Sequence, residues 1–291
     1  NMLIVAIVFG FLGALLGLML RYFLWQPFPI HFQNALHGHS HVMLLAWLLP
    51  ALLILVYRLG RVRINSKALL FYYLLYFSCL GLLLVFPLRG YDLYTIAISS
   101  FHLLLSIYLF RHLLQRANFK PWQDLLCRWA YRFYLISSLG PLLLGPLKVL
   151  SLKGTDYYQQ AIYFYVHFLS FGSLTLLALI LFYKALGVNL KGSAAIRSAK
   201  LFIWAVPLLW SQKLSLAWDY WFLDLSTILG VLLNFSAFWL LRKPILASNL
   251  LIKTIVLFWL VLAIAQLLSA YPEIGAWAMT NRQLFIAYLH L

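Results

Sequence analysis

Acidic residues are scarce in this sequence. Of its 291 residues only 6 are Asp or Glu, and charged residues of both signs make up 10%, against about 25% in soluble domains. Apolar residues reach 65%, whereas soluble domains contain about 45–50%. A water-soluble fold cannot cover that much apolar surface, so the composition excludes an ordinary soluble domain.

Cysteine is equally scarce, with Cys79 and Cys127 the only two in the sequence. Neither belongs to a C-x-x-C pair, and both fall within or near apolar runs. We therefore expect no disulfide bond and no metal ion bound by these cysteines.

Long polar stretches are missing as well. Apolar runs of about 20 residues recur along the chain, each long enough to cross a hydrocarbon core of roughly 30 Å as a helix. They predict an all-α, polytopic membrane helix bundle in a single membrane domain (1–291), with at least nine full transmembrane helices and a partial tenth. The predicted spans are 2–25, 36–57, 67–88, 93–115, 125–148, 157–185, 199–217, 220–241, 250–271 and an incomplete tenth from 280. Because the last run stops at Leu291, after about half the length that a span needs, we expect a chain that is incomplete at its C-terminus.

Positive charge lies between the spans, which indicates a lipid environment and no nucleic-acid partner. Of the 22 Lys and Arg residues, 16 lie at junctions after even-numbered spans and 6 on the opposite side. Cytoplasmic loops carry the excess of such residues, so the N-terminus is expected outside, in a bacterial inner membrane. No carboxylate is predicted at mid-membrane depth, which argues against proton pumping.

Histidine is the residue type on which the functional prediction depends. Of the 8 histidines, four lie early in a span that enters from the outside: His39, His102, His167 and His290. At 1.5 Å per residue they could share one layer. A neutral imidazole in an apolar interior needs a partner for each ring nitrogen, and haem iron is one such partner. Hydrogen bonds to neighbouring helices are the alternative.

The densest group of histidines lies in the segment Asn34-Ala-Leu-His-Gly-His-Ser-His-Val-Met43. On a helix His37 and His41 share a face, while His39 points roughly the other way. One histidine can therefore ligate iron while the others contact headgroups, a propionate or another helix. His37 and His41 could equally be interfacial polar residues.

Three spans together resemble haem–copper oxidase subunit I. On the second span, His39-x3-Met43-x6-Pro50 resembles the family's second helix, and on the tenth Ala287-Tyr-Leu-His290 resembles its Ala-His-x-His segment. The resemblance implies that His39 and His290 ligate a low-spin, b-type haem. On the sixth span, the segment that ends at His167 resembles the one that holds a copper ligand.

Other positions depart from that family. Tyr288 stands where the family has the histidine of its high-spin haem, and Phe171 stands where oxygen-reducing members have tyrosine. The segment Trp204–Lys213 of the seventh span lacks the histidine pair for copper. The resemblance therefore implies a bis-histidine haem that transfers electrons, without a complete oxygen-reducing centre. Copper is not expected, and His167, with His102, is expected to line a polar remnant of the copper site.

The expected function is that of a haem-binding electron-transport subunit in or beside a respiratory complex, with other membrane subunits as partners. If the chain is an enzyme, it is an oxidoreductase subunit. Arg282, Arg89 and Lys213 are candidates to neutralise haem propionates or to anchor in headgroups. Two other functions stay open: a copper or small-solute membrane protein whose His37-His39-His41 cluster is an outer metal-entry site, and a haem-free structural subunit of a larger complex.

Overall fold

The computed structural model describes residues 2–23, 25–26, 29–186, 193–215, 217–218 and 220–281. In these residues the chain forms helices joined by short turns, with no strand. It divides into two compact units, Asn1–Phe119 (unit 1) and Lys120–Leu291 (unit 2).

The described residues of unit 1 form four helices: α1 (Met2–Tyr22), α2 (Phe32–Leu59), α3 (Ser66–Arg89) and α4 (Leu93–Arg116). Within α2 a π-helical segment, Val42–Leu48, begins directly after His41. The side chains of Asn65 and Asp92 cap α3 and α4, since each accepts a hydrogen bond from a backbone N–H of the first helical turn.

The turns of unit 1 are tied to neighbouring helices. Gly90 ends α3 with φ +63°, a left-handed conformation that favours glycine, and the Asn34 side chain packs against it. At the opposite end, the backbone N–H of Asn118 donates to the Gly60 carbonyl over 3.1 Å. The C-terminal ends of α2 and α4 are therefore held together.

Unit 2 contains the helices α5 (Pro121–Val149), α6 (Asp156–Ala185), α7 (Ser193–Ser215), α8 (Trp221–Leu240), α9 (Arg242–Leu246), α10 (Leu250–Ser269) and α11 (Pro272–Thr280). A π-helical segment, Phe168–Leu174, interrupts α6 directly after His167. Buried hydroxyl pairs join its helices. Tyr183 and Ser198 lie 2.6 Å apart, and Ser211 and Thr227 lie 2.9 Å apart.

Seven of the described helices are long and apolar enough to cross a membrane: α1, α2, α3, α4, α6, α8 and α10. The helices α5 and α7 coincide with the predicted spans 125–148 and 199–217 but are more polar. Their charged residues are Asp124, Arg128, Arg132 and Lys148 on α5, and Arg197, Lys200 and Lys213 on α7. The predicted count of at least nine full spans is therefore not confirmed, and nearly all of the predicted tenth lies outside the described residues.

Large apolar side chains are exposed on the outer faces of several helices, among them Phe11 and Leu18 on α1 and Leu257 and Phe258 on α10. Exposing such faces to water would cost free energy, whereas exposing them to hydrocarbon does not. Together with the seven helices, these faces give the chain the character of an integral membrane protein in contact with lipid.

Candidate functional site

His39 lies on α2 and faces α1. Its Nδ1 is 2.8 Å from the backbone carbonyl oxygen of Gly13. Because a carbonyl oxygen only accepts hydrogen bonds, Nδ1 carries the proton and donates it, and in the neutral ring Nε2 then carries the lone pair. Metal-ligating histidines hold their second ring nitrogen in this way.

Three glycines of α1 make room for this contact. An added Cβ atom would lie 2.9 Å from the ring of Trp47 at Gly10, and 2.9 Å from Cε1 of His39 at Gly17. At Gly13 it would overlap the sulfur of Met43. These glycines therefore form a row that lets α1 and α2 approach closely, as small residues do in membrane helix pairs.

His37 and His41 lie on another face of α2, as their four-residue spacing predicts. His41 is buried, its Nδ1 donates to the carbonyl oxygen of His37 over 3.0 Å, and its ring centre lies 4.4 Å from that of Phe86. Both imidazoles also contact the ring of Tyr91, at 5.0 and 6.0 Å. Across the described part of the chain, no three or more His, Cys, Asp or Glu side chains converge to hold a metal ion.

His102 is buried inside unit 1, with 1% of its surface exposed. Its Nδ1 lies 3.1 Å from Oγ of Ser78 and 3.6 Å from Sγ of Cys79. The Ser78 hydroxyl donates to the Leu75 carbonyl over 2.6 Å, so Ser78 Oγ accepts the proton of Nδ1. Nε2 of His102 then carries the lone pair and has no hydrogen-bond partner among the described residues.

A further buried histidine, His112, lies near the other end of α4. Tyr57 donates its hydroxyl proton to the Leu109 carbonyl over 2.7 Å, and Nδ1 of His112 is 3.1 Å from the same hydroxyl oxygen. The two rings stack with their centres 5.8 Å apart. His112 therefore joins α4 to α2.

In unit 2 His167 is a bridge between helices. Its Nε2 donates to the Val206 carbonyl on α7 over 2.8 Å, and its ring stacks on Phe171 with the centres 5.3 Å apart. A cavity of about 20 Å³ is lined by Phe171, Val206 and the buried amides of Asn234 and Gln266, among others. His167 is next to this cavity without lining it, and His102 belongs to unit 1.

The predicted propionate partners are placed as follows. Arg89 pairs with Asp92 at 3.0 Å, and its guanidinium lies 4.7 Å above the ring of Tyr94. The backbone N–H of Thr95 and, next, the Arg89 guanidinium hold the pKa of Asp92 below its usual value. The ammonium of Lys213 lies 5.8 Å from the centre of the Tyr163 ring. Arg282, Tyr288 and His290 lie outside the described residues.

Comparisons of the chain with family models, with curated proteins and with solved structures give no match. The resemblance to haem–copper oxidase subunit I therefore stays a prediction that rests on the sequence motifs.

Some site residues escape prediction from the sequence. Gly13-x3-Gly17 is a small-xxx-small pattern, and this signal could have identified the α1 face that receives His39. Ser78 and Cys79 lie on a different helix from His102, and no motif connects them. The π-helical segments after His41 and His167 have no signal in the sequence, although such segments often occur at functional sites.

Proposed function

We propose that the chain is a haem-binding integral membrane protein that transfers electrons through a bis-histidine, low-spin haem and lacks a complete oxygen-reducing centre. The observation that carries this proposal is the hydrogen bond from Nδ1 of His39 to the Gly13 carbonyl, 2.8 Å long. It puts the lone pair of the neutral imidazole on Nε2, the state that a ligand to iron requires. The resemblance implies that His290 would hold the haem together with His39.

The residues around His39 fit such a group. The carbonyl of Gly13 orients the imidazole and raises its basicity, as outer-shell acceptors do. Gly17 leaves space for the ring, since a Cβ there would come within 2.9 Å of Cε1 of His39. When bound, a six-coordinate haem exchanges single electrons and offers no open position to a substrate. The role of the protein is then to hold the imidazole in one tautomer and orientation.

Cationic side chains would neutralise the propionates of a bound haem. Arg282 and Lys213 are the candidates beside Arg89, whose guanidinium is held by Asp92 at 3.0 Å and would have to bind a propionate with its remaining donors. An exposed ion pair of this kind is weak enough to exchange partners.

The proposed setting is a bacterial inner membrane, with the N-terminus outside and other subunits of a respiratory or related complex as partners. The orientation rests on the 16 basic residues at even junctions against 6 on the opposite side. In the same proposal α5 and α7 also cross the membrane. On α7 the charges lie near the ends, with Arg197 and Lys200 in the first half and Lys213 in the last turn.

Haem content tests the proposed function. The full chain is purified from haem-replete cells, and its haem is quantified as the pyridine complex and by a reduced-minus-oxidised spectrum. Wild type should carry a low-spin haem, which His39→Gln and His290→Gln should each lose. The exposed histidine at the start of α2, His31, provides the control His31→Gln, which should keep it.

Three outcomes would contradict the proposal. A wild-type chain without a Soret band but with bound metal would favour the copper or small-solute protein, and a chain with neither would favour the haem-free structural subunit. A spectrum that His39→Gln leaves unchanged would remove His39 as the ligand.

A further inference from the structure

We infer that unit 1 binds an anionic phospholipid at one end, with the lipid phosphate held by Lys67 of α3 and Arg111 of α4. This site is separate from His39, and the inference does not depend on whether the chain binds haem. The first observation is a group of six exposed basic residues, here called the basic end. They lie near the C-terminal ends of α2 and α4, in the turn after α2 and at the start of α3: Arg58, Arg61, Arg63, Lys67, Arg111 and Arg116.

No acidic residue balances the charge of the basic end within its own unit. Asp92 is the only Asp or Glu in residues 1–119. It caps the start of α4, roughly 30 Å from Arg111 at a rise of 1.5 Å per residue, and it pairs with Arg89. Like charges that share a surface repel one another, and an anion among them relieves the repulsion. The basic end therefore favours an anionic partner.

The second observation is that the backbone orders the basic end. The Gly60 carbonyl accepts a hydrogen bond from the N–H of Asn118 over 3.1 Å, and the N–H of Val62 donates to the Tyr57 carbonyl over 3.0 Å. Arg61, between them, has φ +53°, a left-handed conformation that a residue other than glycine keeps only where its surroundings impose it. Because the turn is already ordered, less entropy is lost when an anion binds.

Lys67 and Arg111 flank one tyrosine of α4. The ammonium of Lys67 lies 5.5 Å from the centre of the Tyr108 ring. Arg111 follows Tyr108 by three residues and is therefore its neighbour on the helix surface. The ring of Phe71, on α3, packs against Tyr108 with the ring centres 4.1 Å apart. A phosphate at this place meets an ammonium from α3 and the forked donors of a guanidinium from α4.

The third observation identifies the anion as a lipid. Leu70 and Phe77 follow Lys67 on α3 at spacings of three and ten residues, and both are exposed. On α4 the exposed Leu104 precedes Arg111 by seven residues, on the same face of the helix. Lys67 and Arg111 thus lie at the ends of two apolar, lipid-facing surfaces. A phospholipid, which joins a phosphate to acyl chains, matches both parts, whereas a soluble phosphate uses only the cations.

Lipid titration of the purified full chain tests the site. The delipidated chain in a non-ionic detergent receives phosphatidylglycerol, or phosphatidylcholine with the same acyl chains, and native mass spectrometry counts the bound lipid. Lys67→Gln, Arg111→Gln and the double variant are compared with wild type. Lys67→Arg keeps the charge. The matched control is a double variant of two exposed basic residues outside the basic end, Arg21→Gln with Lys148→Gln.

We expect wild type to bind phosphatidylglycerol about 25-fold more tightly than phosphatidylcholine, from about fivefold for each basic residue beside an anionic headgroup. Each single glutamine variant should lose about fivefold in affinity for phosphatidylglycerol, and the double variant should lose the preference. Lys67→Arg and the control variant should keep it. Because each single variant is measured as well, the result does not depend on the folding of the double variant.

Three results would overturn the inference. The first is equal affinity of wild type for the two lipids, and the second is an equal loss in the control variant and in the double variant of the basic end. The third is displacement of phosphatidylglycerol by an equal concentration of inorganic phosphate, which would assign the site to a soluble anion. Haem content should be the same in Lys67→Gln and wild type, so failure of this inference and failure of the proposed function are distinguishable.

Discussion

The two units repeat one local design and use it differently. In each unit a buried histidine, His41 or His167, is followed at once by a seven-residue π-helical segment. In unit 2 the imidazole of His167 bridges α6 to α7 and stacks on Phe171. In unit 1 the same stretch of α2 also carries His39, which turns to α1 and donates to the Gly13 carbonyl.

His39 and His167 differ in the ring nitrogen that donates a hydrogen bond. His167 donates from Nε2 to the Val206 carbonyl within the helix packing, so its role is that of a polar link between helices. His39 and His102 donate from Nδ1, and their Nε2 atoms carry the lone pair. The neighbouring acceptor therefore decides which nitrogen of each imidazole carries the lone pair.

The largest effect on haem content should come from replacing His39 and comparing that variant with a replacement of His167. His39→Gln is expected to lower the haem bound per chain by at least about tenfold, since a first ligand matters at least as much as an outer-shell partner. His167→Gln is expected to retain haem. The measurement is the amount of haem bound per chain in the two purified variants. An equal loss in both would show that His39 and His167 do not differ in their effect on haem binding.

A smaller effect on haem retention is expected from the glycines of α1 that pack against α2. Gly17→Ala places a Cβ 2.9 Å from Cε1 of His39 and should shift the ring away from the Gly13 carbonyl. We expect about tenfold weaker haem retention, the size of an outer-shell effect. Gly145→Ala is the control, because nothing lies within 4 Å of an added Cβ there. If the two variants retain haem equally well, the close approach of α1 does not position His39.

In unit 2 the corresponding test concerns stability. His167→Phe keeps an aromatic ring beside Phe171 but removes the hydrogen bond to Val206. We expect the free energy of unfolding to fall by about 1 kcal/mol, the usual contribution of one hydrogen bond, with haem content unchanged. Titration with a denaturing detergent, followed by circular dichroism, measures the change. A loss of haem with intact stability would show that His167 has a ligand role after all.

The smallest effect should be the pH dependence at the α3–α4 turn. The pKa of Asp92 is lowered in the folded chain, chiefly by the Thr95 N–H. The stabilisation from this carboxylate is thus present at neutral pH and is lost as the pH falls through its folded-state pKa, below about pH 4. Melting curves recorded between neutral and acidic pH should show a smaller decline for Asp92→Asn than for wild type. Identical declines would remove Asp92 as the titrating cap.

Much of the fold follows from the apolar pattern of the sequence. Nine described helices coincide with the nine full spans that the pattern predicts, and the opposed directions of His39 and His41 follow from helix periodicity. The sequence does not establish that α5 and α7 cross the membrane. Their lengths favour a membrane span, whereas their charged residues oppose it. Long-range partners such as Ser78 for His102 or Gly13 for His39 depend on how helices pack, which the pattern along one helix does not contain.

We propose that the neutral imidazole of His39, in unit 1, ligates a six-coordinate haem iron. Electron paramagnetic resonance of the oxidised, purified full chain tests it most directly, because the signal reports spin state and axial ligands together. We expect a low-spin ferric signal typical of two imidazole ligands, abolished in His39→Gln and kept in His167→Gln. A high-spin signal in wild type, or a low-spin signal that survives in His39→Gln, would contradict it.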